Sequence, residues 1–538
     1  MEPRRTKGPI CGVENCRSRS YEEAEDGFLY CQNGHRQGGL LRGEDDEDNY
    51  TQAARQISRK QKDGDDTKKI ARHYVGRRAF DLYLKCLQLI LRHQIRFLVQ
   101  NKGLPSELET IIFDLWALRI AQLAERIATD NQDSDSQSQI FSTLETDESE
   151  TDNERGAIST PKGRDKKLQG MPNLYDCLAL CYLGISTLRF PLTPGDIYAW
   201  TTDGDMAFRG AIKLLPFAMK DRLPASYHVV LDPQTLMRHQ RFYTTLTNLQ
   251  ISFEKEHGIV WPPLNLPLLL YRYLSELALP LELYDATLRL ADLLGFDFAV
   301  HHDGRQRLGI RHLPEAQLIG SLIVCVKLFY PFDKHRRAPR SPSEPSATVV
   351  DWKKWCDQMK AARMELRAGT PGFTTEKLTE LQESDIFEMR PDQLDQYLDF
   401  YAKTFLDEAE VQRAKDSDDF RNALYGMFPI EGKNKHPPIK LSEEILHEKR
   451  LQMVKAVHSA MLTWSVVGDD QDVLRPGQMY PVWKHAQVLP KRAAIFYEEA
   501  ARLSGLSMDM LVMAVFFTEA RVERWRRKQS EGSRTKYA

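Results

Sequence analysis

The chain has 538 residues, of which 42% are hydrophobic and 28% charged, a globular mix with room for three or four domains. Its 74 basic and 76 acidic side chains leave a net charge of −2. That balance excludes attraction to nucleic acid or anionic membranes through bulk charge, so any such attraction must come from local clusters.

The eight cysteines are Cys11, Cys16, Cys31, Cys86, Cys177, Cys181, Cys325 and Cys356. The start, MEPRRTKGPI, has no apolar core of a signal peptide, and no apolar run approaches the roughly 20 residues that cross a bilayer. The expectation is an intracellular, reducing compartment, where clustered cysteines more often bind metal than form disulfides. Cys11 and Cys16 are separated by four residues, Cys31 and His35 by three, and the pairs by 14. Zinc needs four N or S ligands in a tetrahedron, and a hairpin would bring the two pairs together. RSRSYEE reads as one strand, Asp26-Gly27 as the turn and FLYC as the returning strand, with Gly34 relaxing the second knuckle. Four protein ligands leave no position for an activated water, so the metal is structural and supplies the folding energy of a unit too small for a core. The competing reading is three unpaired thiols and a surface histidine in a tail.

After His35 the chain is glycine-rich, then acidic over 44–48, and the arm of 41–78 then turns basic, with Arg55, Arg59, Lys60, Lys68, Lys69 and Arg72 prominent. This is either a solvated linker or an extended arm that orders in a groove near nucleic acid. From Phe80 the pattern turns helical. Phe80, Tyr83, Leu84, Leu87, Ile90, Leu91, Ile95 and Leu98 recur at three- and four-residue steps up to Gly103 and Pro105. Ser106 and Glu109 are placed to cap a second helix carrying Ile112, Leu115, Trp116, Ile120 and Leu123. That pattern stops at about Ala128, and residues 129–170, rich in Ser, Asp, Glu and Thr, read as a disordered insertion. Helices resume in LYDCLALCYLGISTLRF, where Cys177 and Cys181 are better read as small core residues than as a second metal site. Thr193 and Pro194 open another short helix.

A second helical set begins near Pro233, with PQTLMRHQRFYTTLTNLQISF, LNLPLLLYRYLSELALP, LELYDATLRLADLLGF and PEAQLIGSLIVCVKLFYPF, the last apolar enough for the centre of a bundle. Beyond a proline-serine linker, RAPRSPSEPSA, lie helices carrying Leu394 to Phe405, Ile445 to Leu462, and a last apolar stretch from Ile495 to Phe517. Two basic clusters are candidate phosphate-binding sites: Lys334, His335, Arg336, Arg337 and Arg340, and then Arg521, Arg524, Arg526, Arg527 and Lys528 around Trp525. Each reads equally as a solvated helix end. The fold class is mostly α. Its parts are a small β zinc ribbon (8–40), an arm (41–78), a first bundle (79–228) with the insertion, a second bundle (229–337) and a helical extension (338–538).

A metal ribbon, a charged arm and two tandem five-helix bundles resemble the transcription factor IIB family. CRSRSYEE, DGFLYCQNGH and YLKCLQLILRHQ are similar to the fungal RNA polymerase I-specific branch, the core-factor subunit with a zinc ribbon and two cyclin folds. The resemblance implies one structural Zn2+ held by Cys11, Cys16, Cys31 and His35, a ribbon that docks on the polymerase and an arm that approaches its cleft. It implies cyclin folds that contact promoter DNA and fellow subunits. The implied partners are the other core-factor subunits, RNA polymerase I with its initiation factor, and the ribosomal DNA promoter, with TATA-binding protein as a further candidate. The implied location is the nucleolus within the nucleus, with no membrane and no small-molecule substrate. An enzyme is the first rival, but there is no P-loop, G-x-G-x-x-G, H-E-x-x-H or G-x-S-x-G. A cyclin-like kinase regulator would leave the ribbon unexplained, and the insertion and the ribbon's wording disfavour the RNA polymerase III branch.

Overall fold

The computed structural model describes residues 5–7, 18, 20–23, 29–31, 35, 73–133, 171–301, 308–333, 335, 337–366, 373, 375–387, 389–405, 443–463 and 474–536. The chain forms two compact units, residues 1–70 and 71–538.

In the first unit, strands β1 (Arg5–Lys7), β2 (Ser20–Glu23) and β3 (Leu29–Cys31) form an antiparallel sheet in that order. Tyr21 is opposite Cys31, and Thr6 is opposite Tyr21 on the other edge. The hairpin of β2 and β3 follows the sequence expectation. Strand β1 does not, because three residues of Arg-Thr-Lys carry no alternation to read. The expected turn at Asp26-Gly27 and the knuckle glycine Gly34 lie outside the described residues.

The second unit is helical. Helix α1 (Arg77–Arg96) buries Tyr83, Leu87, Ile90, Leu91 and Ile95 along one face. It passes into a π-turn at Phe97–Asn101, and the chain reverses at Gly103 with φ +68°. Helix α2 (Glu107–Asp133) runs five residues into the stretch expected to be disordered, and the rest of that stretch, 134–170, lies outside the described residues. Helix α3 (Leu174–Thr187) starts at an Asn173/Asp176 capping box and is buried on all sides from Leu174 to Ile185. It is the hub of the first bundle, packed by α1, α2 and α4 (Pro194–Thr202). Short helices α5 (Phe217–Lys220) and α6 (Ala225–Leu231) close the bundle.

Helix α7 (His239–His257) packs on α3 and leads into α8 (Leu266–Glu276), α9 (Glu282–Leu294) and α10 (Pro314–Phe329). Helix α10 is the second hub, buried from Pro314 to Lys327 apart from Gln317. Helix α9 packs on it from nearby sequence, and the rest of its covering comes from far along the chain. After α11 (Trp352–Leu366), α12 (Thr375–Glu380), α13 (Glu383–Ile386), α14 (Pro391–Phe405) and α15 (Glu443–Ser459), the chain returns with α16 (Lys491–Ser504) and α17 (Met508–Lys536). Helices α16 and α17 both pack on α10. The stretch from Ile495 to Phe517 is therefore two helices. Gly505, at φ +74°, splits them at an angle of 98°. No single helix among the described residues is long and apolar enough to cross a membrane.

The proline-serine stretch is packed rather than tethering, with Ala338, Ser346 and Ala347 buried and the Ala338 N–H donating to the Leu474 carbonyl. Strand β4 (Thr348–Val349) pairs with β5 (Leu462–Thr463), so Leu462 is in a strand and not at the end of the preceding helix. Cys177 and Cys181 are core thiols. Burial pushes both up in pKa, and the Cys181 sulfur lies 3.9 Å from the Gln94 Oε1. A protonated thiol inside a dry core is a small hydrophobe rather than a ligand.

Candidate metal centre and nucleic-acid interface

Strand β3 ends at Cys31, and the Cys31 N–H donates to the His35 carbonyl at 3.1 Å, closing a tight knuckle. The turn places the Cys31 Sγ 3.5 Å from the His35 Nδ1. Zinc bonds of about 2.3 Å to sulfur and about 2.0–2.1 Å to nitrogen, meeting at a tetrahedral angle, set their donors about 3.5–3.6 Å apart. The pair therefore has the separation of two ligands on one tetrahedral zinc. Cys31 is buried and His35 half-buried, as a closed structural site requires. Cys11 and Cys16 lie outside the described residues, and among the described residues no three metal-ligating groups cluster.

The arm residues Arg55, Arg59, Lys60, Lys68, Lys69 and Arg72 also lie outside the described residues, as do Lys334 and Arg336. Arg337 is 7% exposed. Its two terminal nitrogens each donate to Asp333 at 2.7 Å, and its Nε donates to the Gln478 carbonyl at 3.1 Å. These bonds hold the Asp333 carboxyl below its ordinary range. Arg337 is thus a structural clamp whose guanidinium is already occupied, unlike the phosphate contact read from sequence. Arg340 is exposed. On α17, Arg524, Arg526 and Arg527 are exposed, with Arg526 and Arg527 both bonded to Glu523 at 3.2 Å. Arg521 covers the Phe296 ring at 4.3 Å and reaches the Gly295 carbonyl.

A junction missed by sequence reasoning joins the two bundles. Helix α4 begins where α16 ends. The Thr193 Oγ1 donates to the Leu503 carbonyl at 2.6 Å, and the Tyr243 hydroxyl of α7 donates to the Ser504 carbonyl at 3.3 Å. The positive end of α4 thereby meets the orphan carbonyls of α16. Backbones approach so closely that Gly195 and Gly505 face each other without room for a Cβ on either. From α8, Arg272 donates to Asp196 at 2.7 and 2.5 Å, to the Pro191 carbonyl at 2.9 Å and to Glu276 at 2.8 Å. Asp196 also accepts from the Thr193 N–H at 2.8 Å, so one carboxylate caps α4 and holds α8. Sequence signalled Thr193 and Pro194 as a helix start, but nothing local signalled the partners.

Two buried ionisable pairs brace the hubs. The Tyr182 hydroxyl of α3 donates to Glu315 in the first turn of α10, and burial raises the pKa of that carboxyl. Lys327 of α10 pairs with Glu519 of α17. The Lys327 ammonium lies 4.1 Å from the Trp483 ring and 4.5 Å from the Tyr480 ring, and the Tyr480 hydroxyl donates to Glu519 at 2.6 Å.

The described residues offer a small β ribbon with a Cys31–His35 knuckle and a helical body with exposed arginines on α17. Residues 5–37 match the zinc finger of the RNA polymerase I-specific TFIIB, Rrn7. Residues 87–217 match the Rrn7/TAF1B N-terminal cyclin domain, and residues 235–405 the C-terminal one. The Schizosaccharomyces pombe RNA polymerase I-specific transcription initiation factor rrn7 is 23% identical, with 97% of this chain and 98% of the relative aligned. The Saccharomyces cerevisiae factor RRN7 is 23% identical over 62% of this chain and 63% of its own. A TATA box-binding protein-associated factor of RNA polymerase I from Oryza sativa is 25% identical over 37% of this chain and 32% of its own. A chain in the crystal structure of the S. cerevisiae core factor aligns with a TM-score of 0.45 at 14% identity, covering 86% of this chain and 99% of that one. With a ribbon and two cyclin domains matched in one order along its length, the chain belongs to the Rrn7/TAF1B family.

Proposed function

We propose that this chain is an RNA polymerase I-specific transcription initiation factor. It acts as a core-factor subunit that binds the ribosomal DNA core promoter and recruits RNA polymerase I for pre-rRNA synthesis. The observation that carries this reading is the end-to-end alignment with the fission-yeast factor, 97% of one chain on 98% of the other. It acts in the nucleus and, within it, at the nucleolus. It is not an enzyme: its role is to hold other macromolecules in register.

In this reading Cys11, Cys16, Cys31 and His35 hold one structural zinc, supported by the 3.5 Å donor separation of the second pair. When bound, the metal supplies folding energy to a ribbon that docks on the polymerase. The arm, read from sequence as 41–78 but ending before α1 begins at Arg77, enters the cleft through Arg55, Arg59, Lys60, Lys68, Lys69 and Arg72. Lys334, Arg336, Arg340, Arg524, Arg526 and Arg527 are offered to promoter DNA. A chain of net charge −2 holds a duplex through few local clusters, so its own DNA affinity is modest and rises within the assembly.

The test is affinity purification of the tagged chain, followed by identification of the polymerase that accompanies it. Recovery of RNA polymerase I with the other core-factor subunits is expected. Recovery of RNA polymerase II or III without polymerase I would refute the assignment.

A further inference from the structure

We propose that the solvent face of α1 is a phosphate-tracking surface that takes the backbone of a DNA duplex. Arg77, Arg78, Lys85, Arg92 and Arg96 are all exposed and all on this one helix. At 3.6 residues per turn they fall within an arc of about 100°, and at 1.5 Å per residue they extend over about 28 Å. The single acid on that arc is Asp81, so the face carries five cations against one anion. None of the five cations is ion-paired with a described residue, in contrast to Arg526 and Arg527, which share Glu523.

Two further observations point to an anionic partner. The first turn of α1 holds Arg77 and Arg78 and no acid, and its N-cap is Gly76 with no side-chain cap. Cations at a helix N-terminus oppose the macrodipole, and the missing cap leaves the first N–H groups without an intrahelical partner, an arrangement that an arriving anion relieves twice over. At the other end, Arg92 and Arg96 add to burial in pushing the His93 pKa down, as expected in a positive local field. The partner is nucleic acid rather than protein because none of the exposed large apolar residues among those described lies on α1. Protein interfaces are built around aromatic and apolar anchors, which this face lacks. A duplex presents about one charge per 1.7 Å of axis, so cations about 6–11 Å apart along the helix from Arg78 to Arg96 each meet a phosphate without needing a particular sequence.

This inference rests on the promoter-binding reading for the partner's identity, but its test is independent of which polymerase is recruited. The full chain and its Arg78→Gln/Lys85→Gln/Arg92→Gln/Arg96→Gln variant are titrated onto a labelled duplex at a series of KCl concentrations. Glutamine preserves helix propensity, and matching thermal melts and circular dichroism check the fold. Loss of four phosphate contacts should make the slope of log Kobs against log [KCl] shallower by about 3–4, with weaker binding to every duplex tested. An Arg78→Lys/Arg92→Lys/Arg96→Lys variant should keep the wild-type slope. An unchanged slope in a folded glutamine variant overturns the proposal. So does a wild-type chain that binds no duplex, or a glutamine variant that loses a protein partner while its DNA slope stays the same; the last result would assign the face to an acidic protein.

Discussion

Replacing Gly195 with alanine tests whether the last helices of the chain hold the two bundles together. A Cβ at Gly195 would sit 2.3 Å from the Arg502 carbonyl oxygen, 2.8 Å from the Gly505 nitrogen and 2.9 Å from the Leu503 oxygen. All three are backbone atoms, so no side chain can swing aside. Ordinary contact begins near 3.4 Å, and relief therefore requires α4 and α16 to part by about 1 Å. Overpacking of this kind costs about 1–3 kcal/mol. Parting also stretches the 2.6 Å bond from Thr193 to Leu503, worth about 1 kcal/mol. Against this, alanine is the better helix former by about 1 kcal/mol. The net expectation is a loss of about 1–3 kcal/mol, at a position where the same change on a free helix would stabilise. Calorimetry should show the melting temperature falling by several degrees, and limited proteolysis should release α16 and α17 earlier. A Gly195→Ala protein that melts at or above the wild-type temperature would show that the two backbones do not meet.

Other consequences can be measured separately. Lys327→Met alone leaves Glu519 buried without its cation and should cost about 3–5 kcal/mol in urea denaturation, whereas Lys327→Met/Glu519→Leu should recover most of that loss. Burial raises the Glu315 pKa above its ordinary value near 4.5, so the folded state binds this proton more tightly than the unfolded one. The stability this proton contributes is present at low pH and is lost as pH rises through the raised value. Glu315→Gln should flatten that part of the pH–stability curve while retaining stability at neutral pH; an unchanged curve would remove Glu315 from the account. Chelation, or His35→Ala, should release one equivalent of zinc by elemental analysis and abolish polymerase recovery, with little change in the far-UV helical signal of the body.

Much of the body is legible in the sequence because core faces repeat at helical spacing. Phe80, Tyr83, Leu87, Ile90, Leu91 and Ile95 are buried on one side of α1, and PEAQLIGSLIVCV reads as a bundle centre and is one. What escapes is whatever depends on partners far along the chain. Arg337 looks like one more cation beside Lys334 and Arg336 until Gln478 offers its carbonyl, 141 residues away. The extension reads as an appendage because the proline-serine stretch resembles a tether. Only packing reveals that α10, walled on one side by α9, is completed by α16 and α17. At the candidate metal site, ligand spacing is readable since short knuckles are local. Strand β1 is not, because its pairing with β2 has no signature within Arg-Thr-Lys. The α1 cations are visible singly, but their common exposure follows only from which face the bundle buries.

The arrangement of α10 and α17 has a consequence for biogenesis. Helix α17 begins about 180 residues after α10 ends, so translation at about 5–20 residues per second leaves roughly 10–40 s between the two. During that interval the nascent chain carries an apolar rod that α9 covers on one side and α16 and α17 do not yet cover on the other, the kind of segment that holdase chaperones recognise. A premature stop between Phe329 and Met508 would make the exposure permanent. Such alleles should therefore behave as aggregation or degradation mutants, with the whole protein lost rather than a truncated form that has lost only its C-terminal contacts.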